Sequence, residues 1–233
     1  MKILIITGAS RGIGRATCER FQQDQWQIYN LSRTPSSMAG VHNLAVDLEQ
    51  IETLATACAP HLSTWKRASR LCIIHNAAGF QADTVETMAQ AIMHTLFQIN
   101  ICAAVALNQL VLPFAPRGSS ILYVGSTLSE QGSSGAATYI TLKHAVVGLM
   151  RATCQDLAGR GVHTACICPG FTDTEMLQSR LGPDPSVRAN IGARMSGGRL
   201  IAPAEIAEFF FFAACNPAID GAVVHANLGQ IQK

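Results

Sequence analysis

Charge is scarce in this sequence. Of 233 residues only 14% are Asp, Glu, Lys or Arg, and the formal net charge is +2. A balance so close to neutral offers no basic field for nucleic acid or an anionic membrane. Long apolar runs are also missing. No uninterrupted run reaches the roughly 20 residues that span a bilayer. The most apolar short run, FFFFAA from Phe209, reads as a buried helix face. The opening MKILIITGAS carries one Lys and a short apolar run, less than the apolar region of a secretory leader. The chain is therefore expected to be soluble and cytoplasmic, with no nucleic-acid or membrane partner. Cysteine is present eight times, but without framework spacing. Cys166 and Cys168 form a C-x-C with no further ligands nearby, so they read as small apolar residues of a buried strand. No metal site is expected.

What is present is an alternation. Short apolar runs at 2–7, 27–32, 42–46, 71–76, 120–126, 163–169 and 222–226 do not alternate with polar residues. Strands buried on both faces read this way. Amphipathic stretches at 12–24, 49–58, 86–112, 137–158 and 203–214 lie between them. Asp47 is a plausible helix cap, and Pro203 suits a first helical turn. The pattern predicts an α/β chain. It is a single doubly wound Rossmann-type domain over 1–233, with a parallel seven-stranded sheet and helices on both faces. The stretch 173–202, rich in Gly and Pro, reads as a long loop after a strand's carboxyl end and is a candidate substrate lid.

The first strand runs into TGASRGIG (7–14), with glycines spaced Gly8-x3-Gly12-x-Gly14. A glycine turn between a strand and a helix can aim backbone N–H groups and a helix N-terminus at a pyrophosphate. Dinucleotide folds that take NAD usually place an acid at the end of the second strand for the ribose 2′-OH. This sequence has YNLSRTP there, without an acid. Arg33 and, from the glycine turn, Arg11 suit a 2′-phosphate in geometry and charge. The residues thus favour NADP(H), with NAD(H) possible.

A second constellation lies downstream. Tyr139 and Lys143 share one face of a helix, and Ser126 lies 13 residues before the tyrosine. An ammonium beside a phenol favours the phenolate, which suits a tyrosine for acid/base work near neutral pH. Together the glycine turn, DL (47–48), NAAG (76–79), Asn100 in FQIN, Ser126, YITLK (139–143) and PGFTDT (169–174) resemble the short-chain dehydrogenase/reductase family, in that family's order and over nearly the whole chain.

The resemblance implies roles. Tyr139 would be the general acid, Ser126 would polarise a carbonyl, and Lys143 would hold the nicotinamide ribose. Asn100 would support a water relay to Lys143. Gly8, Ser10, Arg11, Gly12, Ile13 and Gly14 would bind cofactor phosphate, with Ser32 and Arg33 at the second strand's end. Asp47 and Leu48 would border the adenine, and Asn76, Ala77 and Ala78 the ribose. Pro169, Gly170, Thr172 and Thr174 would position nicotinamide and pyrophosphate. His75 and His144 read as structural. The implied activity is interconversion of a small-molecule carbonyl and a secondary alcohol, by a homodimer or homotetramer.

Two departures stand out. Leu142 replaces the small residue that commonly precedes the lysine, and the tail lacks the family's usual DGG ending. Two alternatives stay open: an NAD(H)-dependent dehydrogenase, and a dinucleotide-binding regulatory protein of the same fold without useful turnover. Pocket walls are expected from 80–85, 127–136 and the lid. Lid residues Met176, Leu177, Leu181, Val187, Ile191 and Met195 suit an apolar substrate. Arg180, Arg188, Arg194 and Arg199 suit an anionic one.

Overall fold

Successive side chains of a strand point to opposite faces, so a strand covered on both sides must be apolar at every position. The first strand, β1 (Lys2–Thr7), shows the consequence. Ile3 and Ile5 enter one core layer, Leu4 and Ile6 the other, and all four are fully buried. A computed structural model describes residues 1–182 and 184–230. In it β1 is followed by β2 (Gln27–Ser32), β3 (Val41–Ala45), β4 (Arg70–His75), β5 (Ser120–Val124), β6 (His163–Pro169) and β7 (Ala222–Ala226). They form one parallel sheet in the order β3-β2-β1-β4-β5-β6-β7. The order reverses between β1 and β4. A crevice opens beyond the carboxyl ends of strands at such a reversal, and ligands bind there in folds of this kind.

Helices cover both faces. They are α1 (Gly12–Gln23), α2 (Glu52–Cys58), α3 (Leu62–Trp65), α4 (Gln90–Phe97), α5 (Ala103–Val111), α6 (Ala137–Asp156), α7 (Glu175–Leu181), α8 (Pro185–Gly192) and α9 (Pro203–Cys215). One face of the sheet packs α2, α5 and α6 through Leu54, Leu107, Val146 and Met150. The other packs α1 and α9, where Phe21 and Phe210 are fully buried. Burying a phenylalanine contributes roughly 1.5–3 kcal/mol.

Three expectations are corrected. The stretch 86–112 is not one α-helix: α4 and α5 are joined by a π-turn over Gln98–Cys102. The lid is not a plain loop, because it holds α7 and α8 and is pinned at its base by a short parallel bridge, Thr172 to Ile201. Asp47 does not cap a helix: its Oδ1 accepts from the Glu49 N–H in a turn, and α2 starts later, with Ile51 at its N-cap. The apolar count also needs a qualification. The helical stretch Gln90–Phe114 is long and apolar enough to cross a bilayer by length and composition, yet it buries Ala103, Ala104, Leu107 and Val111 against the sheet.

Candidate active site

A cleft of about 920 Å³ lies along the carboxyl ends of the strands, at the β1/β4 reversal. At one end the turn after β1 is built by buried and half-buried hydrogen bonds. The Asn76 amide Nδ2 donates to the carbonyls of Thr7 and Gly8 at 3.0 and 2.8 Å. The Thr7 hydroxyl accepts from the Asn76 and Ala77 N–H groups, and the Asn30 side chain accepts from the Ala9 N–H. Gly14 is required by close approach, since a Cβ there would lie 2.4 Å from the Gly8 carbonyl oxygen and 2.7 Å from Asn76 Nδ2. Helix α1 then begins at Arg11 with no side-chain cap. Its first-turn N–H groups have no intrahelical partner and border the cleft, an arrangement that favours an anion.

The structure brings most of the candidate residues to this cleft. Gly8, Ser10, Arg11, Gly12, Ile13, Gly14, Arg33, Asp47, Leu48, Asn76, Ala77 and Ala78 line one half. Ser126, Tyr139, Lys143, Pro169, Gly170 and Thr172 line the other, and Thr174 borders the glycine turn, its Cγ2 3.2 Å from where a Gly12 Cβ would sit. Two candidates do not line it. Ser32 is turned into a polar network behind β2, accepting from Asn30 Nδ2 and donating to the Thr34 carbonyl. Asn100 is buried in the π-turn, where its Nδ2 donates to the Leu96 carbonyl at 2.8 Å; its neighbour Ile99 reaches the cleft instead. Arg33 is exposed and loosely paired with Glu49 at 3.5 Å.

The chemistry-bearing end rests on β5, β6 and α6. Ser126 lies two residues past β5 and starts a tight helical turn. Its Oγ accepts from the Leu128 N–H at 3.2 Å, so its own proton is free to donate. Gly125 allows this arrangement, because a Cβ there would lie 2.5 Å from Cys168 Sγ and 2.8 Å from Cys166 Sγ. Those two buried thiols are 3.9 Å apart on one face of β6. Lys143 is 2% exposed, and its Nζ donates to the Val124 carbonyl at 2.8 Å. An ammonium has three N–H bonds, so two remain for other partners. Nζ also sits 5.6 Å from the centre of the Tyr139 ring. Leu142, the departure from the family pattern, is buried.

Sequence reasoning missed one contributor and the packing of another. Asp83 is buried and reaches the N-terminus of α6 from the loop after β4. Its Oδ1 accepts from the Thr138 N–H at 3.0 Å, its Oδ2 from the Thr138 hydroxyl, and its backbone carbonyl from the Ala137 N–H. It caps the helix one residue before Tyr139, a helix whose own N-cap, Ala136, has no capping side chain. The second is a stack: the Phe80 ring lies 5.3 Å from the Tyr139 ring, and the Arg180 guanidinium lies 3.3 Å over Phe80. Neither has a sequence spacing that announces it. His75 and His144 are structural as expected: His75 bonds Asn108 in the core, and His144 bonds the Ile140 carbonyl on the helix surface. Among the described residues no group of His, Cys, Asp or Glu could hold a metal.

A family model described as short chain dehydrogenase matches residues 2–183. The chain is similar to a 3-oxoacyl-acyl-carrier-protein reductase of Vibrio harveyi, 28% identical over 245 residues, covering 98% of this chain and 96% of that protein. Its fold matches the ligand-free aldohexose dehydrogenase of Thermoplasma acidophilum at 24% identity and a TM-score of 0.91, over 98% of this chain and 93% of that one. It also matches the structure of ElxO with NADP bound, at 20% identity and a TM-score of 0.85, over 98% of both chains.

Proposed function

The chain belongs to the short chain dehydrogenase family of oxidoreductases, and from that premise we propose that it is an NADPH-dependent reductase interconverting a carbonyl and a secondary alcohol. The observation that carries this reading is the convergence of Ser126, Tyr139 and Lys143 on the same cleft as the uncapped start of α1.

The donor set fits a dinucleotide. The unpartnered first-turn N–H groups of α1 suit a pyrophosphate, and Asn76 keeps the turn open for it. Arg11 and Arg33 both line the cleft, and guanidinium groups suit a 2′-phosphate in charge and geometry. Lys143, with two free N–H bonds, would hold a ribose hydroxyl. When bound, the nicotinamide supplies the hydride. The Ser126 hydroxyl donates to the carbonyl oxygen and polarises it. The Tyr139 hydroxyl gives its proton to that oxygen as negative charge develops there. Lys143 keeps positive charge beside the phenolate left behind. Asn100, one residue from the cleft, would keep the π-turn open for a water relay toward Lys143. Asp83 is a positioning residue, since it fixes the first turn of α6 and with it Tyr139. The protein is read as a cytoplasmic homo-oligomer.

NADPH titration followed by turnover on a panel of ketones, quinones and acyl thioesters tests this. NADPH should bind at micromolar levels, and NADPH that does not bind would end the reading. Tyr139→Phe should abolish turnover and leave NADPH affinity unchanged, and full activity in that variant would remove Tyr139 from the chemistry. In the same titrations Arg33→Asp should shift preference toward NADH; an unchanged preference would detach Arg33 from the 2′-phosphate.

A further inference from the structure

The arginines of the lid fall into two kinds. Arg188 pairs with Asp173, and Arg199 makes a two-pronged pair with Glu205 at 2.6 and 2.7 Å. Neither lines the cleft. Arg180 and Arg194 do line it, and among the described residues neither has a carboxylate partner. An unpaired cation turned toward a partly enclosed cleft has lost some water and gained no counter-ion, which an arriving anion can supply.

Arg180 is the better placed of the two. Its guanidinium is stacked on Phe80, and Phe80 is packed against Tyr139, so two ring contacts of 3.3 and 5.3 Å link the cation to the phenol. Together they keep it within the span of a short carbon chain from the Tyr139 ring. Stacking on an aromatic face holds the planar fork still and leaves its N–H edge free for a carboxylate or phosphate. Burial at this spot lowers the Arg180 pKa from its ordinary value, and Tyr139 pulls it the opposite way. Two acids also line the cleft, Asp47 past the end of β3 and Glu175 at the glycine-turn end, its Oε2 3.6 Å from where a Gly12 Cβ would sit. Arg194 stands over Phe171 at 5.9 Å and adds positive charge to the same wall.

We infer that the substrate carries an anionic group, carboxylate or phosphate, a few bonds from the reacting carbonyl, and that Arg180 is the residue that selects it. This rests on the reductase reading above. Arg180 thereby fixes which end of the substrate enters and brings the carbonyl under Tyr139 and Ser126. A neutral ketone would bind without that orientation.

The test compares wild type, Arg180→Met and Arg188→Met on two matched pairs: acetoacetate against methyl acetoacetate, and dihydroxyacetone phosphate against dihydroxyacetone. Wild type should prefer at least one anion over its neutral twin by about tenfold or more in kcat/KM. Arg180→Met should erase that preference, bringing kcat/KM for the anion down to that of its neutral twin in the same variant. The pair that responds tells carboxylate from phosphate. Arg188→Met, the same charge deletion outside the cleft, should keep the preference. Calorimetric titration of the two anions into the enzyme with NADP+ reads the site without turnover. No preference in either pair, or a preference that survives Arg180→Met, overturns the inference. If none of the four ketones is reduced, the reductase reading fails. The calorimetry then decides the anion site: binding lost in Arg180→Met upholds it, and no binding to wild type removes it.

Discussion

The turn after β1 and the lid after β6 border the same cleft, but different forces hold them. Residues 7–14 are fixed from beneath by Asn76, Thr7 and Asn30, whose side chains make buried or half-buried hydrogen bonds to the backbone. Residues 173–202 bury Leu177, Met195 and Ile201 and are bridged at Thr172–Ile201 and Met195–Gln230, and much of their polar fastening is exposed, in the pairs Arg188–Asp173 and Arg199–Glu205. A buried hydrogen bond is costly to leave half-made, whereas an exposed ion pair contributes little and is screened by salt. The end suited to the cofactor is therefore rigid. The end suited to the substrate can adjust, as a lid must.

The largest effect should come from breaking the rigid side. Gly14→Ala places a methyl group 2.4 Å from the Gly8 carbonyl oxygen and 2.8 Å from the Ala9 Cα. Both are backbone atoms and cannot swing aside. The variant should lose about 3 kcal/mol of unfolding free energy and should lose NADPH binding. Urea unfolding and a fluorescence titration read both. A near-normal result in both would show that the turn yields as easily as the lid.

Acid should also separate the two regions. His75 ends β4, directly before Asn76, and is 8% exposed. Burial pushes its pKa down to about 4 from 6.5, and the bond to Asn108 only partly opposes this. The folded protein thus keeps His75 neutral where the unfolded chain takes up a proton. Its contribution is intact above pH 6.5 and is lost as the pH falls from 6.5 toward 4. Between pH 6.5 and 5 it should remove about 2 kcal/mol of stability. Urea midpoints across that range check it, with His75→Gln as the comparison. A pH slope unchanged in His75→Gln would assign the acid sensitivity elsewhere.

The same division explains what could be read before the structure. Strands buried on both faces carry their signal in every residue, and all seven were legible, most within one residue at each end. β5 ends two residues early because Gly125 and Ser126 leave the sheet to form the turn that presents the serine. The glycine turn was legible because backbone geometry demands particular residues at a fixed spacing. The lid gave no such signal. Helices α7 and α8 are short, and Gly182 and Pro185 break the periodicity that marks a helix. Asp83 was missed, and Arg180 was named only as one of four lid arginines, for another reason: both reach the Tyr139 end of the cleft from distant parts of the chain, Arg180 by way of Phe80, and only tertiary packing brings them there. Ser32 and Asn100 show the converse. Their positions fit the family's order, but local hydrogen bonds turn both side chains away from the cleft.

The smallest effect should come from the lid's own fastening. Arg188 on α8 pairs with Asp173 at the lid's base, and the two side chains are 48% and 29% exposed. Water competes for both groups, and holding two long side chains in register costs entropy. Pairs of this kind contribute about 0.2–1 kcal/mol. Arg188→Met should therefore lower the unfolding free energy by less than about 1 kcal/mol. The difference from wild type should vanish near 1 M salt, where the screening length is only about 3 Å. Asp173 would still be engaged by Gln178 Nε2 at 3.0 Å, which limits the loss further. Urea unfolding at low and high salt measures it. A loss as large as that of Gly14→Ala, or one that salt does not diminish, would mean that the lid is held by the same buried contacts as the turn. The contrast between a rigid cofactor end and an adjustable substrate end would then fail.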